Sequence, residues 1–188
     1  MKSTIQQIAS IQTGVFARPT GSGDLVYLQA RHFEEDGRLV TVLHPDLSAE
    51  GITQKHILRE GDILFAAKGS KNFAAVYEAH NQPAVASTSF FVIRPMVRFV
   101  NPEFLAWCLN SPAILSQLKA QATGTGIPSI SKQVLEAMEI DIPDLSTQKA
   151  IVRIAALRRK QQKLQRKLDR LRDRLIQHKI TSAIQRTL

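Results

Sequence analysis

Asn101-Pro102-Glu103-Phe104 approaches the Asn-Pro-Pro-Tyr/Phe quartet with which amino-methyltransferases hold an amine, but Glu103 stands where the second proline belongs. That quartet needs a rigid, extended Pro-Pro pair to aim its backbone acceptors. The same four residues read better as a helix start, with Asn101 as N-cap, Pro102 at the first helical position and Glu103 in the first turn. Pro45-Asp46 and Pro143-Asp144 could each open a nuclease signature, yet no Asp/Glu-x-Lys occurs in the chain. His32, His44, His56, His80 and His178 share no metal-ligand spacing with one another or with Cys108. There is no nucleophile elbow and no P-loop, and Gly21-Ser22-Gly23 and Gly124-Thr125-Gly126 are too short to identify a phosphate cradle. We expect no catalytic residues, no metal and no cofactor.

The elements that carry these residues alternate short strands with turns. Residues 25–28, 39–43, 62–66, 74–77 and 89–93 are β-branched or aromatic runs too short for helices, and Pro95 stops the last. The helix that begins at Pro102 would bury Phe104, Leu105, Trp107, Cys108 and Leu109, and Ser111-Pro112 breaks it. A second helical segment runs from Ala113 to about Ala122, and a short helix covers residues 131–138 before an extended stretch at 139–143. Strands followed by helices imply an α+β (mixed α/β) domain over residues 1–145.

Residues 146–188 have a different character. From Asp144 to the end there is no glycine or proline, and Ser146 is the expected N-cap, although Lys149 leaves its capping box incomplete. Ile154, Leu157, Gln161, Leu164, Leu168, Leu171 and Leu175 alternate spacings of three and four, which is the seam of a coiled coil with one polar layer. At 1.5 Å per residue the helix would be a rod on the order of 60 Å long. From Arg153 onward eight Arg and four Lys face only Asp169 and Asp173, a net charge of +10 in a chain whose total is +9. The preceding residues are therefore almost neutral. A basic arm calls for an acidic partner, nucleic acid or protein, unless it is simply a solvated face. The single Cys108, the polar residues 1–7 and the lack of any membrane-length apolar run lead us to expect a soluble cytoplasmic protein without a membrane partner.

Several segments, in order, resemble the specificity subunit of type I restriction–modification systems. They are Ile8-Ala9-Ser10-Ile11-Gln12-Thr13-Gly14, then Gly61-Asp62-Ile63-Leu64-Phe65 with Lys68-Gly69, and then the run from Ala84 through Ser87-Thr88-Ser89-Phe90-Phe91 to Arg94-Pro95. Asn101-Pro102-Glu103-Phe104-Leu105 follows, and Gly124-Thr125-Gly126-Ile127-Pro128-Ser129-Ile130-Ser131-Lys132 leads to Ile140-Asp141-Ile142-Pro143 and Gln148. The resemblance covers nearly the whole chain, and its specificity lies in order and spacing. It implies a non-catalytic subunit that binds double-stranded DNA sequence-specifically and docks methyltransferase and restriction subunits. Members of that family carry two target-recognition domains and two antiparallel spacer helices. One domain and one helix resemble half of such a subunit, which implies either a natural half that forms a homodimer through the C-terminal helix or a truncated piece of a longer subunit. The e and g positions Arg158, Lys160, Lys167, Arg172 and Arg174 depart from the pattern of a simple self-pairing coil, because they oppose like charges.

Base recognition would then fall to loops of the domain. Lys68-Gly69-Ser70-Lys71-Asn72 lacks acids and mixes phosphate-type cations with base-type donors, although an ordinary hairpin connection would look the same. Arg18 and Thr20, in a Pro/Gly-rich loop, come second, and Thr123, Thr125, Ser129 and Lys132 third. Two other readings stay open: a coiled-coil adaptor with a basic arm, and a recognition domain detached from a methyltransferase.

Overall fold

In the computed structural model, which describes residues 1–34, 37–39, 43–69, 71–78, 83–124 and 126–185, the chain forms two compact units, Met1–Gln148 and a second beginning at Lys149. Among the described residues the first unit holds three small sheets. β2 (Ala9–Thr13), β7 (Phe90–Pro95), β4 (Ile63–Ala66) and β5 (Ala74–Val76) form an antiparallel sheet in the order β2-β7-β4-β5. β3 (Val26–Leu28) and β6 (Ala84–Ala86) pair in parallel. β1 (Lys2–Thr4) pairs antiparallel with β8 (Glu139–Asp141).

The pleat explains the core. Successive strand residues point to opposite faces. Val26, Leu28, Ala84 and Ala86 turn to one cluster with Leu64, Phe73, Tyr77, Phe90 and Val92. Tyr27 and Val85 turn the other way, to Leu25 and Leu47. A strand pair buried on both faces reads as a continuous apolar run. Phe33, Phe73 and Phe90 interlock with ring centroids 5.5–6.0 Å apart.

The expected strands at 62–66, 74–77, 89–93 and 25–28 are present, each with ends shifted by a residue or two. In the run 39–43, residues 40–42 lie outside those described, as does His80. Three strands, β1, β2 and β6, and a one-turn helix, α1 (Ile5–Ile8), add to the expected set. β1 ties the chain's start to the segment just before the long helix, with Met1 N donating to Ile142 O at 2.8 Å and Ile142 N donating to Met1 O at 2.7 Å.

α2 (Pro102–Leu109) starts as its sequence requires, with the Asn101 side chain accepting from Phe104 N at 2.8 Å. Trp107 corrects the expected buried set: it is exposed and stacks on the buried Phe104, because it lies off the stripe defined by Leu105, Cys108 and Leu109. Ser111 caps α3 (Pro112–Ala120) and Ser131 caps α4 (Lys132–Glu136). Cys108 is buried, and that burial, with the Asp141 charge adding to it, pushes its thiol up to about 12.

α5 runs from Leu145 to Gln185. Its N-cap is Asp144, not Ser146. The Asp144 carboxylate accepts from Ser146 N at 2.9 Å and Thr147 N at 3.1 Å, and from the hydroxyls of both residues. A carboxylate fits this position better than a serine, since it also meets the positive end of the helix dipole. No helix among the described residues is long and apolar enough to cross a membrane.

Candidate nucleic-acid interface

The loop between β4 and β5 is closed at its base by Ala66 N donating to Phe73 O at 2.8 Å, and by Asn72 Nδ2 donating to Ala66 O at 2.9 Å. Beyond that base the loop does not stand alone. Gly69 N donates to Pro128 O and Ile130 N donates to Ala67 O, both at 2.9 Å, so Lys68 lies opposite Ser129 as in an antiparallel ladder. Ser129 in turn exchanges both backbone bonds with Thr123, at 3.0 and 2.8 Å. Two segments far apart in sequence, residues 66–73 and 123–130, thus form one braced surface carrying Lys68, Lys71, Asn72, Thr123 and Ser129. Gly124 closes the turn at φ +110°, where a Cβ would also sit 2.8 Å from Ile127 O.

The ladder continues inward. Ala67 N donates to Ser89 O at 3.0 Å, and the Ser89 hydroxyl meets that of Ser87 at 2.6 Å. Gly14 N and Val15 N donate to Phe90 O and Ala86 O beside them. A side chain at Gly14 would place its Cβ 2.1 Å from Ser87 O, so only glycine lets the chain leave β2 past the β6–β7 turn.

The structure distributes the expected recognition residues unevenly. Lys68 is exposed, with no ion pair among the described residues, and Lys71 is exposed beside it. The Asn72 amide shapes its own loop. Lys132, the first residue of α4, pairs with Glu136 at 3.4 Å, which offsets its charge. Thr20 belongs to a different connection: its N donates to Asp46 O at 2.8 Å and its hydroxyl to Ser22 O at 2.7 Å. Arg18 is exposed on that same connection. Ser70 and Thr125 lie outside the described residues.

Elsewhere in the first unit sit polar residues that carry no local sequence signal. Asp62 is buried and takes a bidentate grip from Arg94, Nε to Oδ1 at 2.7 Å and a terminal nitrogen to Oδ2 at 2.6 Å, while Arg59 N also donates to it. Two of the family-like segments, Gly61-Asp62 and the run ending in Arg94-Pro95, therefore meet in one ion pair. Tyr77 lies near it; its hydroxyl has no partner among the described residues, and burial, helped by the Asp62 charge, raises it to about 12. Asn110 exchanges two side-chain bonds with Ala74, at 2.9 and 2.7 Å, and so occupies the free edge of β5 as another strand would.

On the arm, every described residue from Leu157 to Thr181 is exposed, the apolar seam included: Ile154, Leu157, Leu164, Leu168, Leu171 and Leu175 are each 43–66% accessible. Asp169 accepts from Gln165 at 3.0 Å and lies 3.9 Å from Arg172, which leaves most of the basic side chains among the described residues of the arm without a carboxylate.

The fold and this surface define a class: an α+β module whose loops are laced into one polar face, and whose chain runs into a single long basic helix with an unpaired heptad seam. Residues 22–185 match the family described as "Type I restriction modification DNA specificity domain". The chain belongs to that family. It is 31% identical over 104 residues to the type I restriction enzyme MjaVIII specificity subunit of Methanocaldococcus jannaschii, covering 55% of this chain and 23% of that protein. Among solved structures, the HsdS subunit from Thermoanaerobacter tengcongensis superposes with a TM-score of 0.66 at 24% identity, over 88% of this chain and 44% of that one. A structure described as underlying complex assembly and conformational transition of the type I R-M system gives 0.68 at 22% identity, over 88% of this chain and 44% of that one. The S subunit from M. genitalium gives 0.58 at 17%, over 84% of this chain and 38% of that one. The expected family and the α+β fold with a long C-terminal helix are both borne out. The chain spans less than half the length of each of these relatives.

Proposed function

We propose that this chain is the DNA-reading part of a type I restriction–modification enzyme, supplying one target-recognition domain and one spacer helix. It carries no chemistry of its own and docks the methyltransferase and restriction subunits that do. Two copies join through the helix seam, so that the bound site has two related halves at fixed separation. The observation that carries this reading is the ladder joining residues 67–69 to 128–130 and 123. It gathers the exposed Lys68, Lys71 and Thr123 with the half-buried Ser129 on backbone held by hydrogen bonds between loops, and fixed geometry is what base reading requires. The arm supports the second half of the proposal, because apolar layers left in water seek a partner. Enrichment of a random-sequence duplex pool by the purified chain tests it. One recurrent bipartite motif is expected, and recovery of unselected sequence would refute recognition in favour of a coiled-coil adaptor.

A further inference from the structure

Phe16 is the most exposed phenylalanine of the chain, at 78% accessible, yet both of its neighbours are held by hydrogen bonds. Tyr27, 3% accessible in β3, reaches across with its hydroxyl, donating to Val15 O at 3.0 Å and accepting from Ala17 N at 3.3 Å. Val15 N is also held by Ala86 O at 2.8 Å. Val15 and Ala17 both turn inward against the cluster of Leu25, Tyr27, Leu47 and Val85. The residue between them is thereby turned out, and a large ring is held in water that hydrophobic burial would favour removing. Between Gly14 and Gly23 there is no acidic residue, while Arg18 lies two positions beyond Phe16 and Thr20 and Ser22 follow. An exposed aromatic ring on an acid-free loop that also carries the exposed Arg18 suits a nucleobase with its phosphate. The clamp also belongs to the network of the braced loops: Val15 lies opposite Ser87, which meets Ser89, which holds Ala67 beside Lys68.

We propose that Phe16 makes an apolar contact with a base of the target duplex, and that Tyr27 is the positioning residue that presents it. This rests on the DNA-recognition reading above. The contact is made with either a thymine methyl or an opened base step, both of which proteins meet with apolar side chains.

The test uses the full chain with the duplex it enriches and a scrambled duplex of the same composition. Phe16→Ala should melt as the wild type does, because the side chain is exposed, and should lose discrimination between the two duplexes by roughly 5- to 150-fold. Phe16→Trp should retain most of it. Tyr27→Phe should lose part of it while the Phe16 ring remains in the sequence. Uracil in place of thymine that weakens the wild type but not Phe16→Ala would identify the methyl contact. A 2-aminopurine signal that rises with the wild type alone would identify the opened step. Unchanged discrimination by Phe16→Ala overturns the proposal, and does so decisively if that variant instead fails to assemble with the methyltransferase subunit. Failure of the wild type to enrich any motif is a different result, and it would remove the recognition reading itself.

Discussion

Gln148 and Asn101 are joined across 47 residues of sequence, the Gln148 Oε1 accepting from Asn101 N at 2.8 Å while the Asn101 side chain caps α2. Gln148 is fully buried, and its amide nitrogen donates to both Phe99 O and Pro143 O at 2.8 Å. One side chain in the first turn of α5 thus satisfies three backbone groups around it, and the start of α2 and the start of α5 are held together.

Gln148→Ala should therefore destabilise the first unit by about 2–4 kcal/mol, since it strands buried backbone groups as well as removing their bonds. Gln148→Glu loses both donors and sets a buried carboxylate against two carbonyl oxygens, so it should cost at least as much as Gln148→Ala at neutral pH. Urea denaturation followed by tryptophan fluorescence at Trp107 measures both. Equal stability of Gln148→Ala and wild type would contradict the latch.

Breaking the Asp62–Arg94 pair one side at a time should cost about 3–5 kcal/mol for Arg94→Met, which leaves a buried carboxylate alone. The double variant Asp62→Ala with Arg94→Met should cost clearly less than the two single changes added together. An additive cycle in chemical denaturation would show that the two side chains act independently.

The cap at Asp144 makes part of the helix start sensitive to acid. Hydrogen bonds from Ser146 and then Thr147 lower its pKa well below the ordinary 3.8. A depressed carboxylate contributes stability that is complete above the unfolded value and is lost as pH falls through the folded one. The advantage of wild type over Asp144→Asn should be largest near neutrality and shrink as pH drops below about 4. Helicity and thermal melts of the two proteins across that range check it; a constant difference would exclude the carboxylate as the cause.

Leu164→Asp with Leu171→Asp should convert a dimer to a monomer while leaving the first unit folded, because charge in nearby seam layers opposes helix pairing. Sedimentation at on the order of 50 µM is the measurement. A wild type that is already monomeric there would remove self-pairing and leave a different partner for the seam.

Neutralising Lys68 and Lys71 should weaken target binding through the braced loops. Neutralising Arg166, Arg170 and Arg174 separates two uses of the arm. If it follows spacer DNA, affinity falls equally for target and scrambled duplexes, with a salt dependence shallower by roughly 0.9 per lost phosphate contact. If it faces the methyltransferase subunit, assembly weakens and DNA affinity stays, the outcome we favour. No change in either would leave a solvated face.

Local pattern in the sequence reports the fold as far as local physics reaches. β4, β7 and the capped start of α2 are legible because β-branched runs and an Asn-Pro pair act within a few residues. β6 is hidden because Ala84-Val85-Ala86 is two-thirds alanine, which has little strand preference of its own. β1 and β2 are hidden because a single helical turn interrupts them and destroys any alternation. At the candidate surface, residues 68–72 and 123–132 are each legible as polar loops, yet nothing in either announces the ladder between them. Asp62–Arg94, Gln148 and Asn110 join segments 32 to 47 residues apart, where no period reports a partner. Phe16 gives no signal because it sits in the apolar run Val15-Phe16-Ala17, where the sequence does not show which side chain turns out.

If this chain tells a type I methyltransferase where to act, a map of methylated sites will show it. In cells that express a cognate methyltransferase subunit with and without this chain, the expected result is methylation at one bipartite sequence with two related halves, present only when the chain is present and moved or abolished by changes in the 68–72 loop. Methylation that is absent in both, or identical in both, would contradict it.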